Sequence, residues 1–307
     1  MKLGISGNIG QFGAAIPELA RTIEQAGFES VWTGEHIVIP RDMVSLERHG
    51  VPMPEGYKRM PDLFLTLAMA AAGSSTLKLG SATCLLAQHE PLSLAKQVAS
   101  LDVFSGGRVI FGIGNGWIEE EAPIFGYSYE RRVRTTNECL EALKIIWTEE
   151  TPSFSGEFIS FPPVWSYPKP CQKPYPPVLI GSGDSTTDNA RILRRVARIA
   201  DGWIPINLTP AEMERDLALL KAICAEEGRD FDALDITVYV PAASFGLDEN
   251  SAPIGGSRAT GPADELIAAY EEAGVTRLAV VLWDAPDADA FRTMVGTAAA
   301  ALGLAGK

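Results

Sequence analysis

Short apolar runs alternate with longer amphipathic stretches along the chain, and that rhythm limits the folds open to it. The runs are KLGIS (2–6), SVWTG (30–34), LKLGSAT (77–83), RVIFGIG (108–114), PVLIGSG (177–183), GWIPI (202–206), DITVYV (235–240) and RLAVVLW (277–283). Helical patterns lie between them, at 15–27, 62–75, 91–107, 135–150, 186–200, 210–228, 262–274 and 287–302. Several of these open with proline in the first turn and the first ends at Gly27, both ordinary helix-boundary signals. Near-continuous apolar strands, each followed by a helix, predict a parallel sheet covered by helices. Eight such units predict an α/β fold, a closed (β/α)8 TIM barrel, with an open doubly wound sheet as the alternative.

No linker interrupts the 307 residues, 46% of them hydrophobic, so 1–307 is read as a single domain. Three insertions break the rhythm: 37–61 after strand two, 151–176 before strand five and 241–261 after strand seven. Loops leaving the carboxyl ends of barrel strands frame the active site, so 37–61 and 241–261 are expected to wall it. The remaining insertion contains SFSGEFISF, which reads as a hairpin turning at Ser155-Gly156. It precedes a strand, which puts it at the opposite face or along the side.

The net charge is −13, which argues against a nucleic-acid binder needing a basic face. Cys84, Cys139, Cys171 and Cys224 form no Cys-x-x-Cys pair and have no histidine cluster beside them. This suits a reducing compartment and speaks against a disulfide framework or structural zinc. MKLGIS enters a strand directly, leaving no room for a signal peptide, and no apolar run reaches the about 18 residues of a membrane span. A cytoplasmic protein acting on a small molecule is expected, with no nucleic acid and no membrane.

Chemistry in a barrel sits at strand ends. Strand two ends in WTGEH, offering Glu35 beside His36, an acid next to the side chain that titrates nearest neutrality. Taken alone, such a pair is more often a solvated loop. Strand five ends in Gly181, Ser182 and Gly183 ahead of a helix, where backbone N–H groups can approach an anion; a capped turn, through Asp184 or Ser185, explains it equally. Strand four runs into Gly112, Gly114 and Gly116, with Trp117 where a dinucleotide fingerprint needs its third glycine. These glycines suit a flat ring or only tight barrel packing. No Gly-x-Ser-x-Gly elbow, paired metal-binding histidines or Walker lysine occurs, and His49 and His89 read as surface or packing residues. A site without its own nucleophile or metal is expected to borrow an organic cofactor.

The stretches GFESVWTGEH, LKLGSATCLLAQHEPLSLAKQVASLDVFSGGRVIFGIGNGW, EALKIIWTEE, GEFISFPPVWSYPKPCQKPYPPVLIGSG and ARIADGWIPI resemble the luciferase-like monooxygenase family over nearly the whole chain. The resemblance is to its F-420-dependent branch. It implies coenzyme F-420, with FMN as the alternative, and places the strand-four glycines beside the flavin. It further implies a non-proline cis peptide at Ala82–Thr83, cofactor contacts at Asn115 and Gly116, phosphate contacts at Gly181, Ser182 and Gly183, and Arg134 near the phosphate. Asn115 stands where bacterial luciferase has an arginine, and Trp117 where sugar-phosphate dehydrogenases of the family carry a catalytic glutamate. That departure speaks against sugar-phosphate oxidation. Glu35 and His36 match an acid–histidine pair lying against the ring in deazaflavin relatives, with His36 as proton donor and Glu35 orienting it.

The implied activity is hydride transfer between reduced F-420 and an organic substrate. Alternatives are an FMN monooxygenase, a flavin-binding protein without turnover, and a barrel hydrolase or aldolase. Arg41, Arg48, Lys58 and Arg59 in the first insertion suit the polyglutamate tail of F-420. The helix LFLTLAMAAAG is apolar on more than one face, and with the family's habit of dimerising it suggests a homodimer through it or the next helix.

Overall fold

The computed structural model describes residues 1–44, 55–183, 189–247, 258–282 and 285–304. Eight parallel strands form its centre: β1 (Lys2–Ser6), β2 (Ser30–Thr33), β3 (Lys78–Ser81), β4 (Val109–Gly114), β5 (Val178–Ser182), β6 (Gly202–Pro205), β7 (Asp235–Pro241) and β8 (Arg277–Val281). Their order is β3-β2-β1-β8-β7-β6-β5-β4, and β3 pairs with β4 to close the ring. The chain is a (β/α)8 barrel, not an open sheet. Strand three is shorter than the sequence suggests: it stops at Ser81, and the chain pairs with β4 again at Cys84–Leu85.

Around the barrel run α1 (Ile16–Gln25), α2 (Leu63–Gly73), α3 (Pro91–Phe104), α4 (Arg132–Thr148), α5 (Asn189–Ile199), α6 (Pro210–Glu226), α7 (Ala263–Glu272) and α8 (Ala288–Ala301). Local chemistry sets their ends. Thr209 and Glu212 form a reciprocal capping box at the start of α6, and Asp62 caps α2 through the Leu65 N–H. Each helix turns an apolar stripe onto the strands; in α1 it is Leu19, Ala20 and Ile23. A second, smaller core fills the barrel, with Trp32 edge-on to Tyr239 at 6.2 Å and Ile110, Leu179 and Ile204 around them.

At the amino-terminal face of the barrel the buried Arg277 guanidinium meets Glu29 at 2.9 Å and Asp235 at 2.6 Å. Two carboxylates and Thr237 share its protons, the condition under which a buried charge is tolerated. That end of the barrel is thus sealed by structure.

The 151–176 insertion makes the expected hairpin, with Phe154–Ser155 antiparallel to Ser160–Phe161. Ser155 is a paired strand residue, so the turn spans 156–159 and not Ser155-Gly156. Glu138 of α4 accepts N–H bonds from Glu157, Phe158 and Ile159, which lays the hairpin along the side of that helix. In the first insertion Glu55–Arg59 is a short 3-10 helix, while Arg48 and His49 lie outside the described residues. Among the described residues no helix is long and apolar enough to cross a membrane.

Glu24 ties two helices together ahead of β3. One carboxylate oxygen accepts from the N–H groups of Ser75, Thr76 and Leu77 at 2.9, 2.6 and 3.1 Å. Partial burial pushes this carboxyl up, but the hydrogen bonds from Thr76, Ser75 and Leu77 outweigh it and hold it at about 2 against an ordinary 4.5. A depressed acid stabilises the fold above its unfolded value and loses that contribution as pH falls toward the folded one. Glu24→Gln should therefore cost about 1–2 kcal/mol at neutral pH. The gap between variant and wild type should narrow between pH 4.5 and about 2. Urea unfolding across that range checks this, and a gap independent of pH would contradict it.

Candidate active site

Glu35 and His36 follow β2 at the carboxyl end of the barrel, and both are buried. Adjacent side chains leaving an extended strand point to opposite sides, and these two take different partners. The Glu35 carboxylate accepts the Leu85 N–H at 2.8 Å and lies 2.9 Å from His89 Nε2. It therefore does not orient His36, contrary to the sequence expectation. His89, which reads from sequence as a surface or packing residue, is its true partner. Cys84 completes this knot, with its thiol pushed well up by burial and by the Glu35 charge. Glu35, Cys84 and His89 each place one potential ligand atom within 4.8 Å of the others.

His36 pairs instead with Glu121. Its Nδ1 lies 2.6 Å from Glu121 Oε1, and Gln88 Nε2 donates to the other oxygen at 2.8 Å. Glu121 is 0% exposed, so the histidine and the amide satisfy its carboxyl oxygens in place of water. This short contact at Nδ1 fixes the orientation of the ring, with Nε2 as the ring's other nitrogen. Sequence reasoning misses Glu121 because it ends the run Glu119-Glu120-Glu121, which looks like solvated charge. The chain folds there as a 3-10 helix from Glu119 to Phe125 that buries its third residue with Ala122. The only sequence signal is the apolar pair Ile118 and Ala122 flanking the run.

Two aromatic rings stand by this pair. Tyr57 lies 5.1 Å and Trp117 6.2 Å from the imidazole, and they lie 6.5 Å from each other. Burial pushes the Tyr57 phenol up to about 12, so it stays protonated at neutral pH.

The peptide between Ala82 and Thr83 is cis. A Cβ on Gly112 would sit 2.0 Å from the Ser81 carbonyl oxygen, and one on Gly114 would sit 2.2 Å from Thr83 Oγ1. These strand-four glycines thus make room for the end of β3. The direction a side chain would take at Gly112 and Gly114 is filled by protein. Gly181 serves the same side chain, since its Cβ would meet Thr83 Cγ2 at 2.4 Å. Gly116, by contrast, faces only the Tyr127 hydroxyl at 3.4 Å.

On the other side of β4, Trp203 Nε1 donates to Ser182 Oγ at 3.0 Å, and a Cβ on Gly183 would meet nothing within 4 Å among the described residues. Residues 184–188 lie outside the described residues. Arg134, expected near a phosphate, is 66% exposed and salt-bridged to Glu157 in the hairpin. The insertion captures it. Arg195 of α5 is the arginine that reaches the strand-four end, where its Nη1 donates to Asn115 Oδ1 at 2.9 Å. Among the described residues its Nη2 is buried without a protein partner, as is Thr136 Oγ1 on α4. Such buried polar atoms are rare in proteins and mark places where something else completes the bonding.

The family model for luciferase-like monooxygenase matches residues 7–252. An uncharacterised protein of Mycobacterium tuberculosis is 37% identical over 216 residues, 69% of this chain and 74% of that protein. The oxygenase component of the flavin-dependent trigonelline monooxygenase of Acinetobacter baylyi is 28% identical over 176 residues, 54% of this chain and 42% of its own length. Among solved structures, an F-420-dependent secondary alcohol dehydrogenase in complex with an F-420–acetone adduct superposes with a TM-score of 0.75 at 15% identity, covering 100% of this chain and 99% of that one. That last likeness is one of fold. With the family match spanning most of the barrel, the chain belongs to the luciferase-like monooxygenase family.

Proposed function

We propose that this chain is an oxidoreductase that passes a hydride between coenzyme F-420 and a small organic substrate. The observation that carries the reading is the buried His36–Glu121 pair beside Tyr57 and Trp117 at the carboxyl end of the barrel. Aromatic faces together with unpartnered buried donors at Arg195 and Thr136 suit a flat ring system that bears an anion. When bound, a reduced deazaflavin supplies the hydride. His36, when it carries protons on both ring nitrogens, delivers the balancing proton from Nε2 to the substrate atom that gains negative charge and returns to the neutral ring with Nδ1–H on Glu121. Glu121 and Gln88 hold the imidazole, and Tyr57 and Trp117 keep water from it. Ala82, Thr83 and Gly116 line the ring side, while Asn115, Ser182 and Gly183 serve the anionic side. Glu35, bound to His89 and Leu85, supports the β3 end and does not touch the reacting atoms.

A second reading, an FMN-dependent monooxygenase, is favoured by the Acinetobacter baylyi relative, named as flavin-dependent. The basic first insertion supports F-420 less than its sequence suggests, because Lys58 is paired with Glu55. We also place the protein in the cytoplasm, where its four free thiols are at home. Leu65 on α2 is 68% exposed and Phe104 at the end of α3 is 78% exposed, which supports the homodimer through these helices.

Direct titration should give tighter binding of F-420 than of FMN; the reverse order moves the protein to the second reading. In single-turnover hydride transfer, His36→Ala should slow the chemical step about 10²-fold or more. Glu121→Gln should slow it less, and nitrogen-15 NMR of this variant should show that the His36 ring has lost its fixed Nδ1 proton. Wild-type rates in both variants would remove the pair from the mechanism. Light scattering at micromolar concentration should give the mass of two chains, and a monomeric mass would refute the dimer.

A further inference from the structure

Helix α5 carries Arg191, Arg194, Arg195 and Arg198, the spacing that puts four side chains on one helical face. In a chain of net charge −13 such a concentration of cations is out of keeping with its surroundings. The four arginines line a cavity of about 470 Å³ between α5 and α4, with Asn137 on its far wall. Two carboxylates answer them: Glu226 pairs with Arg194 at 3.1 Å, and Glu227 pairs with Arg198 at 2.9 Å. Four guanidiniums less two carboxylates leave two positive charges among the described residues. Among the described residues no carboxylate pairs with Arg191 or Arg195; Asp184 and Asp188 lie outside them.

Arg195 links this cavity to the mouth of the barrel. Its Nε donates to Asn137 Oδ1 at 2.6 Å and its Nη1 to Asn115 Oδ1 at 2.9 Å. Asn115 directly follows β4, two residues before Trp117, whose ring stands by His36. Burial lowers the Arg195 guanidinium to about 10, which leaves it charged at neutral pH. Among the described residues its protein partners are neutral amides, and its Nη2 has none. A half-buried cation held this way is costly unless an anion completes it.

We propose that the groove between α4 and α5 is an anion-binding site that receives the phosphate and carboxylate-bearing tail of the cofactor, entered at Asn115 and followed by the arginines of α5. It rests on the flavin or deazaflavin reading above. The chemistry recognised is a phosphate followed by carboxylates. The F-420 tail supplies both and the FMN phosphate only the first. Arg195 takes the inner oxyanion, and Arg191 stands at the outer rim.

The test compares each charged cofactor with its uncharged counterpart, by fluorescence titration of the full chain. F-420 is paired with the deazaflavin fragment lacking phosphate and tail, and FMN with riboflavin. Wild type should prefer the charged member about tenfold or more, and less so at high salt. Arg191→Gln combined with Arg195→Gln should abolish most of that preference while the uncharged member binds within about twofold of wild type. Arg191→Gln alone, at an exposed position, decides the matter if the double variant does not fold, and should lose part of the preference. An undiminished preference in these variants makes the groove a solvated cationic face and overturns the proposal, leaving the cofactor reading intact. If none of the four ligands binds wild type, both fall together.

Discussion

The barrel closes across one seam, between β3 and β4, and that seam depends on an approach so close that no side chain fits in it. Only Leu79 with Val109 and Gly80 with Ile110 pair there before β3 ends. Past that point the Ser81 carbonyl takes the space a Cβ of Gly112 would need, and the Ser81 hydroxyl donates to the Gly112 carbonyl at 2.8 Å. Thr83 then settles against Gly114 and Gly181, and Cys84 and Leu85 resume pairing with Ile113 and Gly114. Any larger residue at Gly112 or Gly114 would push the two strand ends apart.

The seam also delivers the next few residues to the mouth of the barrel. Leu85, Gln88 and His89 emerge from the β3 end, and each makes a bond that fixes the site. Leu85 and His89 hold Glu35, while Gln88 holds Glu121, which in turn holds His36. One short segment thus anchors both acids of the mouth. Because Glu121 is fully buried, losing either His36 or Gln88 would leave one of its carboxyl oxygens buried without that hydrogen-bond partner. That interdependence is what gives the imidazole a single orientation.

The sequence is most legible where a pattern is repeated and least where a contact is made across the chain. Eight apolar runs separated by amphipathic helices specify the barrel, because each strand is buried on both faces and each helix on one. His36 stands out as a histidine at a strand end. Its partner does not, since 85 positions separate Glu121 from it and the local run of acids suggests solvent. The same limit hides His89, whose bond to Glu35 spans 54 positions. Arg134 is misleading for a related reason: it has the right position on α4, but an insertion supplies Glu157 and takes the charge. Arg195 occupies a helix face that reads from sequence as ordinary solvated charge, and only burial sets it apart. The strand-four glycines are legible as a tight feature, and on the Cβ side of Gly112 and Gly114 they accommodate the end of the neighbouring strand.

The proposed chemistry is therefore concentrated at one end of the barrel, with the Arg277 cluster at the other. The neighbourhood of His36 and Glu121 combines a fixed imidazole, two aromatic rings and, beyond Asn115, a cationic groove, which together suit one extended, partly anionic ligand. Hydrogen–deuterium exchange with and without saturating F-420 or FMN locates that ligand directly. Slower exchange at 82–89 and 115–127 on binding is the predicted result. Bound cofactor that leaves both segments unchanged and protects another part of the chain would contradict this placement of the site.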